Sequence, residues 1–326
     1  MRKKALIVIS ATLMVGSILA HPAAGRDYPT KMIEIVAPMT PGSPTDMTAR
    51  LAAEIAPKYL GQPVVVVNKP GAGGSLGAAE VASSKPDGYK LLTAISNFFA
   101  LTVKTQKIPY DPSTLTPVAS FTQLVNGVFV RGDSPWKTFN ELLEHGRKNP
   151  GTLRWSHTGR GLGSQMATLL MFKKGGVETI DIPYKGVPEK LAALLGGHVD
   201  AADLTYGTVK DQVRAGKIRL LVVANDRGLP DLPDAPSAFD LGFQDAAKLN
   251  TYCGLFMHKD TPEEIKKILI EAFRKTYEDP EFRKGIIEKV GDEPRFGGPE
   301  FMSEAIKRSE QVGVPWLKEL GLYVGK

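Results

Sequence analysis

The chain has 326 residues and a formal net charge of +6, and three of its positive charges lie within the first four residues. Because the rest of the charge is small and forms no dense basic run, the sequence does not indicate nucleic-acid binding. The single cysteine, Cys253, excludes an internal disulfide bond. A mature chain of about 300 residues is long for one hydrophobic core, so we expect two lobes.

The amino terminus has the three parts of a secretory signal peptide. Cations at positions 2–4 precede an uncharged apolar run over residues 5–20, and small residues follow up to Gly25. The run is shorter than the roughly 20 apolar residues of a transmembrane helix. We therefore predict that residues 1–25 are cleaved on export and that the mature protein is periplasmic. Cleavage after Ala20 and an uncleaved anchor are the alternatives.

Short β-branched runs alternate with helix-length segments in the rest of the chain, a pattern typical of βαβ units and parallel sheets. The alternation restarts after Gln123, and a proline-rich return follows Asn225, which predicts two chain crossings and a hinge. We predict an α/β fold in which residues 26–122 and 226–326 form the first lobe and residues 123–225 the second. The predicted strands are residues 33–37, 64–67, 89–94, 125–131, 153–156, 180–183 and 218–224, and one at Tyr252.

The first candidate site is the loop at residues 38–46, which follows the first predicted strand and precedes a helix. Ligands bind at such strand ends in open α/β sheets, and the free N–H groups of the following helix favour an anion. The alternative is a capped turn in which Thr45 or Asp46 satisfies the helix start. The candidate ligand contacts are Thr40, Pro41, Gly42, Ser43 and Asp46.

The second candidate site is the loop at residues 156–164, which has three glycines at alternate positions and also precedes a helix. Glycine lets the backbone approach a ligand, and consecutive amides form an anion nest. The pattern is neither G-x-G-x-x-G nor a P-loop. Arg160 is either a clamp for a carboxylate or a solvated surface charge. The candidate contacts are Ser156, Thr158, Gly159, Arg160, Gly161, Gly163 and Ser164.

A third candidate is the loop at residues 96–99. Ser96 and Asn97 supply short polar groups there, and Phe98 begins an aromatic pair that belongs either to the core or to the apolar wall of a pocket. The glycine turn at residues 68–75 lacks the lysine of a phosphate-binding loop, so it is predicted to be structural.

Signatures of an enzyme are few. Beyond the amino-terminal segment the histidines lie far apart without metal-ligand spacing, and no G-x-S-x-G motif occurs. We therefore predict a binding protein with no catalytic residue, metal site or cofactor. A periplasmic α/β enzyme that acts on a carboxylated substrate is the alternative from another class.

Six segments are distinctive in sequence and spacing. They are the runs from Tyr28-Pro29 to Arg50 and from Asn68 to Gly77, Pro86-Asp87-Gly88-Tyr89-Lys90-Leu91-Leu92, Ile108-Pro109-Tyr110-Asp111-Pro112, Pro183-Tyr184-Lys185-Gly186 and Gly196-Gly197-His198-Val199-Asp200. In this order they resemble the Bug-type (TctC-like) receptors of tripartite tricarboxylate transporters. The chain departs from the usual family pattern at Ser43-Pro44, where a second glycine is common, and at Gln165, where a histidine is common.

The resemblance implies a type II periplasmic-binding fold whose cleft holds a ligand carboxylate through backbone groups and ordered waters. It places the ligand between the loops at residues 40–46 and 156–164, and it adds Ser96, Asn97, Asp203 and the neighbouring Thr205 as pocket positions. The implied partners are a small organic acid and the membrane subunits of a transporter, and a monomer is expected.

The predicted ligand is an aliphatic di- or tricarboxylate, or an aromatic acid. The aromatic alternative depends on Phe98, Phe99 and Tyr206, whose rings would line the pocket. A periplasmic sensor that uses the same cleft for signalling is a further alternative, and the sequence does not separate it from a transport receptor.

Overall fold

The computed structural model describes residues 28–229 and 232–324 as two α/β lobes, each built around one sheet. The two-lobed α/β prediction is therefore confirmed. The predicted signal peptide lies outside the described residues. Within those ranges no helix is long and apolar enough to cross a membrane.

The first part of the chain builds the first lobe. Its elements are β1 (Ile33–Ala37), α1 (Pro44–Ile55), α2 (Pro57–Leu60), β2 (Val64–Asn68), α3 (Ser75–Ala82), β3 (Lys90–Ile95), α4 (Ser96–Ala100) and β4 (Leu115–Leu124).

The middle of the chain builds the second lobe. Its elements are β5 (Asn126–Arg131), α5 (Phe139–Lys148), β6 (Leu153–His157), α6 (Gly163–Lys174), β7 (Thr179–Pro183), α7 (Val187–Leu195), β8 (Ala201–Thr205), α8 (Tyr206–Arg214) and β9 (Ile218–Val223).

The last part of the chain begins beside the second lobe with α9 (Gln244–Ala247), which contacts α6, and then returns to the first lobe. Its further elements are β10 (Thr251–His258), α10 (Glu263–Glu278), α11 (Pro280–Gly285), β11 (Glu293–Gly297) and α12 (Pro299–Glu319).

Both sheets are mixed, so the parallel pairing that the βαβ pattern predicted is present in only part of each sheet. The first sheet has the order β11-β4-β10-β3-β1-β2, and the second has the order β7-β6-β8-β5-β9. The strands of the βαβ units are parallel, as β1 is to β2 and β3, and β6 to β7 and β8. However, β5 and β10, which the chain reaches directly from the other lobe, are antiparallel to their neighbours. Parallel neighbours in a sheet need a crossover connection, usually a helix, between them. The chain enters β5 and β10 from the other lobe without such a crossover, so these strands are free to pair antiparallel.

The lobes are joined where β4 of the first sheet continues through Val125 into β5 of the second. The return chain lies beside this crossing, because Ala224 N–H donates to Asn126 O at 2.8 Å and Asn225 Nδ2 donates to Leu124 O at 3.2 Å. After Asn225 the chain does not leave the second lobe at once. Residues of the return segment pack in the second-lobe clusters: Leu229, Ala235, Ala238, Ala246, Ala247 and Leu249.

This packing bears on the predicted lobe boundary at residues 225 and 226, which stays a prediction. We propose that the boundary lies about 25 residues later, at the start of β10, because the apolar contacts of the return segment are with β5, β9 and α6. The last helix also contacts both lobes. It packs against α4 and β4, while Leu317 near its end lies in the cluster around Phe172 of α6.

Apolar packing fixes the strands whose ends border the cleft. In the first lobe Leu51 and Ile55 lie one turn apart on α1 and pack with Phe273 of α10. In the second lobe Trp155 of β6 and Phe172 of α6 have ring centroids 5.7 Å apart. Full burial of a large apolar side chain contributes roughly 1.5–3 kcal/mol, so these clusters hold β1 and β6 firmly in place.

Candidate functional site

A cavity of 420 Å³ lies between the lobes and is bordered by the loops that follow β1, β6 and β7. Residues of both lobes line it, as the two-lobed fold requires for a cleft. Nine of the predicted site residues are among them: Thr40, Pro41, Gly42, Ser43, Thr158, Gly163, Ser164, Asp203 and Thr205.

Four helices begin at this cavity. The residues that precede α1, α6, α7 and α8 are Ser43, Leu162, Gly186 and Thr205, and all four line the cavity. Among the described residues, no side-chain hydrogen bond caps α6, α7 or α8. The first N–H groups of a helix lack partners within the helix, and its amino terminus carries a partial positive charge. The convergence of four such ends makes the cavity favourable for an anion.

In the first loop, the buried carboxylate of Asp46 sets the backbone shape. It accepts hydrogen bonds from Gly42 N–H at 2.8 Å, Arg50 Nε at 3.1 Å and Asn68 Nδ2 at 2.7 Å. Burial alone would raise the pKa of Asp46, but the hydrogen bonds from Arg50, Asn68 and Gly42 outweigh it and lower this pKa. Asp46 does not line the cavity and instead holds the loop that does.

Ser43 and Pro44, which differ from the usual family pattern, are both favourable residues at the start of α1. Ser43 is the N-cap residue, and its hydroxyl accepts from Asp46 N–H at 3.3 Å. Pro44 occupies the first helical position, where the absent N–H would have had no partner within the helix. The capped turn and the anion site that the sequence left as alternatives are thus compatible, since both use the same helix start.

In the second loop, Asp181 of β7 is the central brace. Its carboxylate accepts from Arg160 at 2.9 and 3.0 Å, and Oδ2 lies 3.0 Å from His157 Nε2. His157 Nδ1 in turn accepts from Gly159 N–H at 3.0 Å. Burial lowers the pKa of His157, although Asp181 opposes this change. The structure therefore places Arg160 on the outside of the loop, paired with Asp181, and not among the residues that line the cavity.

Two glycines of the second loop approach the first lobe closely. A Cβ on Gly161 would overlap Thr105, and one on Gly163 would lie 2.6 Å from Asn97 Cγ. Gly161 also has φ +78, which L side chains rarely adopt. Its N–H donates to Gln165 Oε1 at 3.0 Å. The glutamine that replaces the usual family histidine at position 165 therefore stabilises the loop. The missing side chains of these two glycines therefore allow the lobes to contact each other.

The third predicted loop lies behind the cavity. Ser96 Oγ accepts from Tyr252 N–H at 3.1 Å, and Asn97 Nδ2 donates to Leu249 O and Thr251 Oγ1, both at 2.9 Å. The predicted contacts that the structure does not bring to the cavity wall are Asp46, Ser96, Asn97, Phe98, Ser156, Gly159, Arg160 and Gly161.

Aromatic rings are absent from the described wall of the cavity. Phe98 and Phe99 form an edge-to-face pair inside a first-lobe cluster, and Tyr206 is buried in a second-lobe cluster. The three rings on which the aromatic-acid alternative depended thus lie in the cores of the lobes and not in the described cavity wall.

The segment at residues 185–190, which runs from the β7–α7 loop into the first turn of α7 and which the sequence reasoning missed, supplies part of the wall. Its lining residues are Lys185, Gly186, Val187, Pro188 and Lys190. The same strand-loop-helix pattern that indicated the other two loops is present here, between β7 and α7, and would have found it.

Lys190 is the buried cation of the site. It is 3% exposed, and its Nζ donates to the backbone oxygen of Asp203. The Asp203 carboxylate accepts instead from Ser164 Oγ at 2.7 Å. Burial lowers the pKa of Lys190, and the charge of Asp203 partly offsets this effect. The charged residues of the described wall are Lys185, Lys190 and Asp203, so it carries a net positive charge when all three are ionised.

Comparisons with known proteins agree with this arrangement. The family described as "Tripartite tricarboxylate transporter family receptor" (TctC) matches residues 48–312. A UPF0065 protein in the gbd 5' region of Cupriavidus necator is 33% identical over 322 residues, which cover 97% of this chain and 95% of that protein.

Two solved structures of Rhodopseudomonas palustris proteins are also similar. One, with adipate, is 26% identical, with a TM-score of 0.79 over 90% of this chain and 99% of that chain. The other, MatC with bound malate, is 28% identical, with a TM-score of 0.73 over 88% of this chain and 100% of that chain. The family resemblance predicted from the sequence is confirmed, and the chain belongs to the TctC family of periplasmic solute-binding receptors.

Proposed function

We propose that this protein is an exported receptor that captures a small organic carboxylate between its lobes and delivers it to the membrane subunits of a tripartite tricarboxylate transporter. The observation that carries the proposal is the convergence of four helix amino termini on one interlobe cavity whose described wall contains two lysines and one aspartate. Such an arrangement stabilises a carboxylate without any catalytic group.

Ligand size and chemistry favour an aliphatic acid. The cavity of 420 Å³ is within the range of small-molecule sites. Its described wall combines hydroxyls, amides and charges with aliphatic side chains such as Ile95, Leu124 and Leu162, and contains no aromatic ring. The adipate and malate in the two similar structures are aliphatic dicarboxylates. We therefore propose an aliphatic carboxylate as the ligand and a non-enzymatic monomer as the receptor.

The test is a binding panel with the mature protein. We expect adipate, malate, citrate or a related aliphatic acid to raise the melting temperature, because a ligand present at 100 times its Kd stabilises the folded state by about 2.7 kcal/mol. Benzoate serves as the aromatic comparison. Native mass spectrometry of the same samples should show the acid bound and chemically unchanged. Conversion of any bound acid would instead favour the enzyme alternative.

Transport and sensing are separated in cells. Deletion of the receptor should abolish uptake of the radiolabelled acid while transcription in response to that acid continues. A normal uptake rate with a lost transcriptional response would favour the sensor alternative.

A further inference from the structure

Lys190 has donor capacity that the protein does not use. It is 3% exposed and lines the cavity, and its Nζ donates one hydrogen bond, to the backbone oxygen of Asp203. An ammonium group has three N–H donors. Among residues 28–229 and 232–324, no carboxylate forms an ion pair with it. The ammonium group is therefore buried at the cavity wall without a direct carboxylate partner, although the nearby charge of Asp203 acts on it.

The surroundings of Lys190 make this position unfavourable without an anion. It is the fourth residue of α7, near the positive end of that helix. Burial also disfavours its charged form, as its lowered pKa shows. Asp203 does not compensate fully, because its carboxylate is directed to Ser164 and only its backbone oxygen meets the ammonium.

The other cations near the cleft do not fill this role. Arg160 is paired with Asp181 outside the cavity, and Lys185 is an exposed residue at its border. The described first-lobe wall contributes backbone and hydroxyl groups from Thr40, Ser43 and Thr45 but no cation. One anionic group can bind at the helix starts alone, whereas Lys190 provides a fixed charge for another.

We propose that Lys190 binds a second anionic group of the ligand and thereby selects dicarboxylates over monocarboxylates of the same length. The inference rests on the proposed function, since it requires that the cavity binds a carboxylate. Lys190 is then a specificity-determining residue, and the ligand class is an aliphatic acid with two negatively charged groups.

The test uses isothermal titration calorimetry with matched acids. The probes are α,ω-dicarboxylates of four to ten carbons, the monocarboxylates of equal length, and the monomethyl ester of the dicarboxylate that binds best. Lys190→Met removes the charge and keeps the apolar stem. Lys148→Met makes the same change on the exposed surface of α5 and is the control.

We expect Lys190→Met to weaken the best dicarboxylate about 10- to 100-fold, as for loss of a hydrogen bond to a charged group, and to leave the monocarboxylate and the monoester within about threefold. The unaltered protein should show the same 10- to 100-fold gap between the dicarboxylate and its monoester. Lys190→Arg, which keeps the charge, should retain part of that gap.

The outcomes separate the inference from the proposed function. Equal losses for both acids in Lys190→Met, or no gap between the dicarboxylate and its monoester in the unaltered protein, overturn the role of Lys190 and leave the carboxylate receptor intact. A protein that binds none of the acids overturns both. The monoester comparison needs no variant. The absence of a gap would therefore overturn the role of Lys190 even if Lys190→Met does not fold.

Discussion

The two glycine-containing loops of the cleft have similar sequence patterns but different roles. In the first lobe, residues 40–45 all line the cavity, and the carboxylate of Asp46 supports them from behind. In the second lobe, Gly161 and Gly163 approach Thr105 and Asn97 of the opposite lobe. The first loop therefore presents its backbone to the cavity, whereas the tip of the second forms the contact between the lobes.

This difference shows that a glycine before a helix does not by itself identify a ligand contact. Close approach of backbone to a ligand and close approach of backbone to another lobe need the same missing side chain. Only the atoms that a Cβ would meet distinguish the two cases. A two-lobed receptor needs both types of contact, because its cleft must hold the ligand and also close around it.

The largest expected effect is that of Gly163→Ala. The new methyl group would overlap Asn97, whose amide bonds to Leu249 and Thr251, so the lobes would be held apart. Overpacking of this kind costs about 1–3 kcal/mol. We expect the affinity for the ligand to fall about 10- to 100-fold by calorimetry, with an increase in the radius of gyration of the liganded protein by small-angle scattering.

Gly159→Ala is the matched control in the same loop. A Cβ there would meet nothing closer than Leu162 Cδ1 at 3.4 Å, so the affinity should stay within about threefold of the unaltered protein. If both variants lose affinity equally, the loop contributes by its general flexibility and the interlobe contact of Gly163 is not the cause.

A smaller effect is expected for Asp46→Asn, which tests the support of the first loop. The change removes charged hydrogen bonds to Gly42 and Arg50, each worth about 1.5–3 kcal/mol, and we expect about 2 kcal/mol less stability at pH 7 by urea unfolding. Affinity should fall about tenfold, because the loop loses its fixed shape.

The pH dependence of Asp46→Asn follows from the lowered pKa of Asp46. A carboxyl group with a lowered folded-state pKa stabilises the protein above its unfolded pKa of about 3.9, and this contribution is lost as the pH falls through the folded pKa. The stability difference between Asp46→Asn and the unaltered protein should therefore narrow below about pH 4. A constant difference from pH 7 to pH 3 would contradict the role of the ionised carboxylate.

Much of the fold could be predicted because β-branched runs bounded by glycine or proline identify most of the strands. Three strands were missed for physical reasons. In β4 the polar residues Ser120, Thr122 and Gln123 are buried between β10 and β11, so the strand lacks an apolar pattern. Proline interrupts the short edge strand β11, and β8 follows a glycine turn that reads as a loop.

The candidate site could be predicted only where a strand end gave a local pattern. The first loop was found in this way, and nine predicted residues line the cavity. The burial of Lys190 at the cavity could not be predicted, because a lysine in a helical segment is usually exposed and nothing local indicates that this one is buried. The ion pair of Arg160 with Asp181 could not be predicted from neighbouring residues either, because Asp181 lies 21 positions away on β7, the strand beside β6.

The smallest expected effect is that of Arg160→Ala, which distinguishes a brace of the loop from a clamp on the ligand. The Arg160 side chain is 59% exposed and is already engaged by both oxygens of Asp181, so no free donor fork is directed into the cavity. Exposed ion pairs contribute about 0–1 kcal/mol, so the melting temperature should fall by no more than about 2 °C. The pKa of Asp181 should rise, because the hydrogen bond from Arg160 is the largest cause of its lowering. Affinities for a dicarboxylate and for the monocarboxylate of equal length should both change by less than about threefold in calorimetry. A selective loss for the dicarboxylate would instead show that Arg160 leaves Asp181 when the ligand binds, and both loops would then contact the ligand directly.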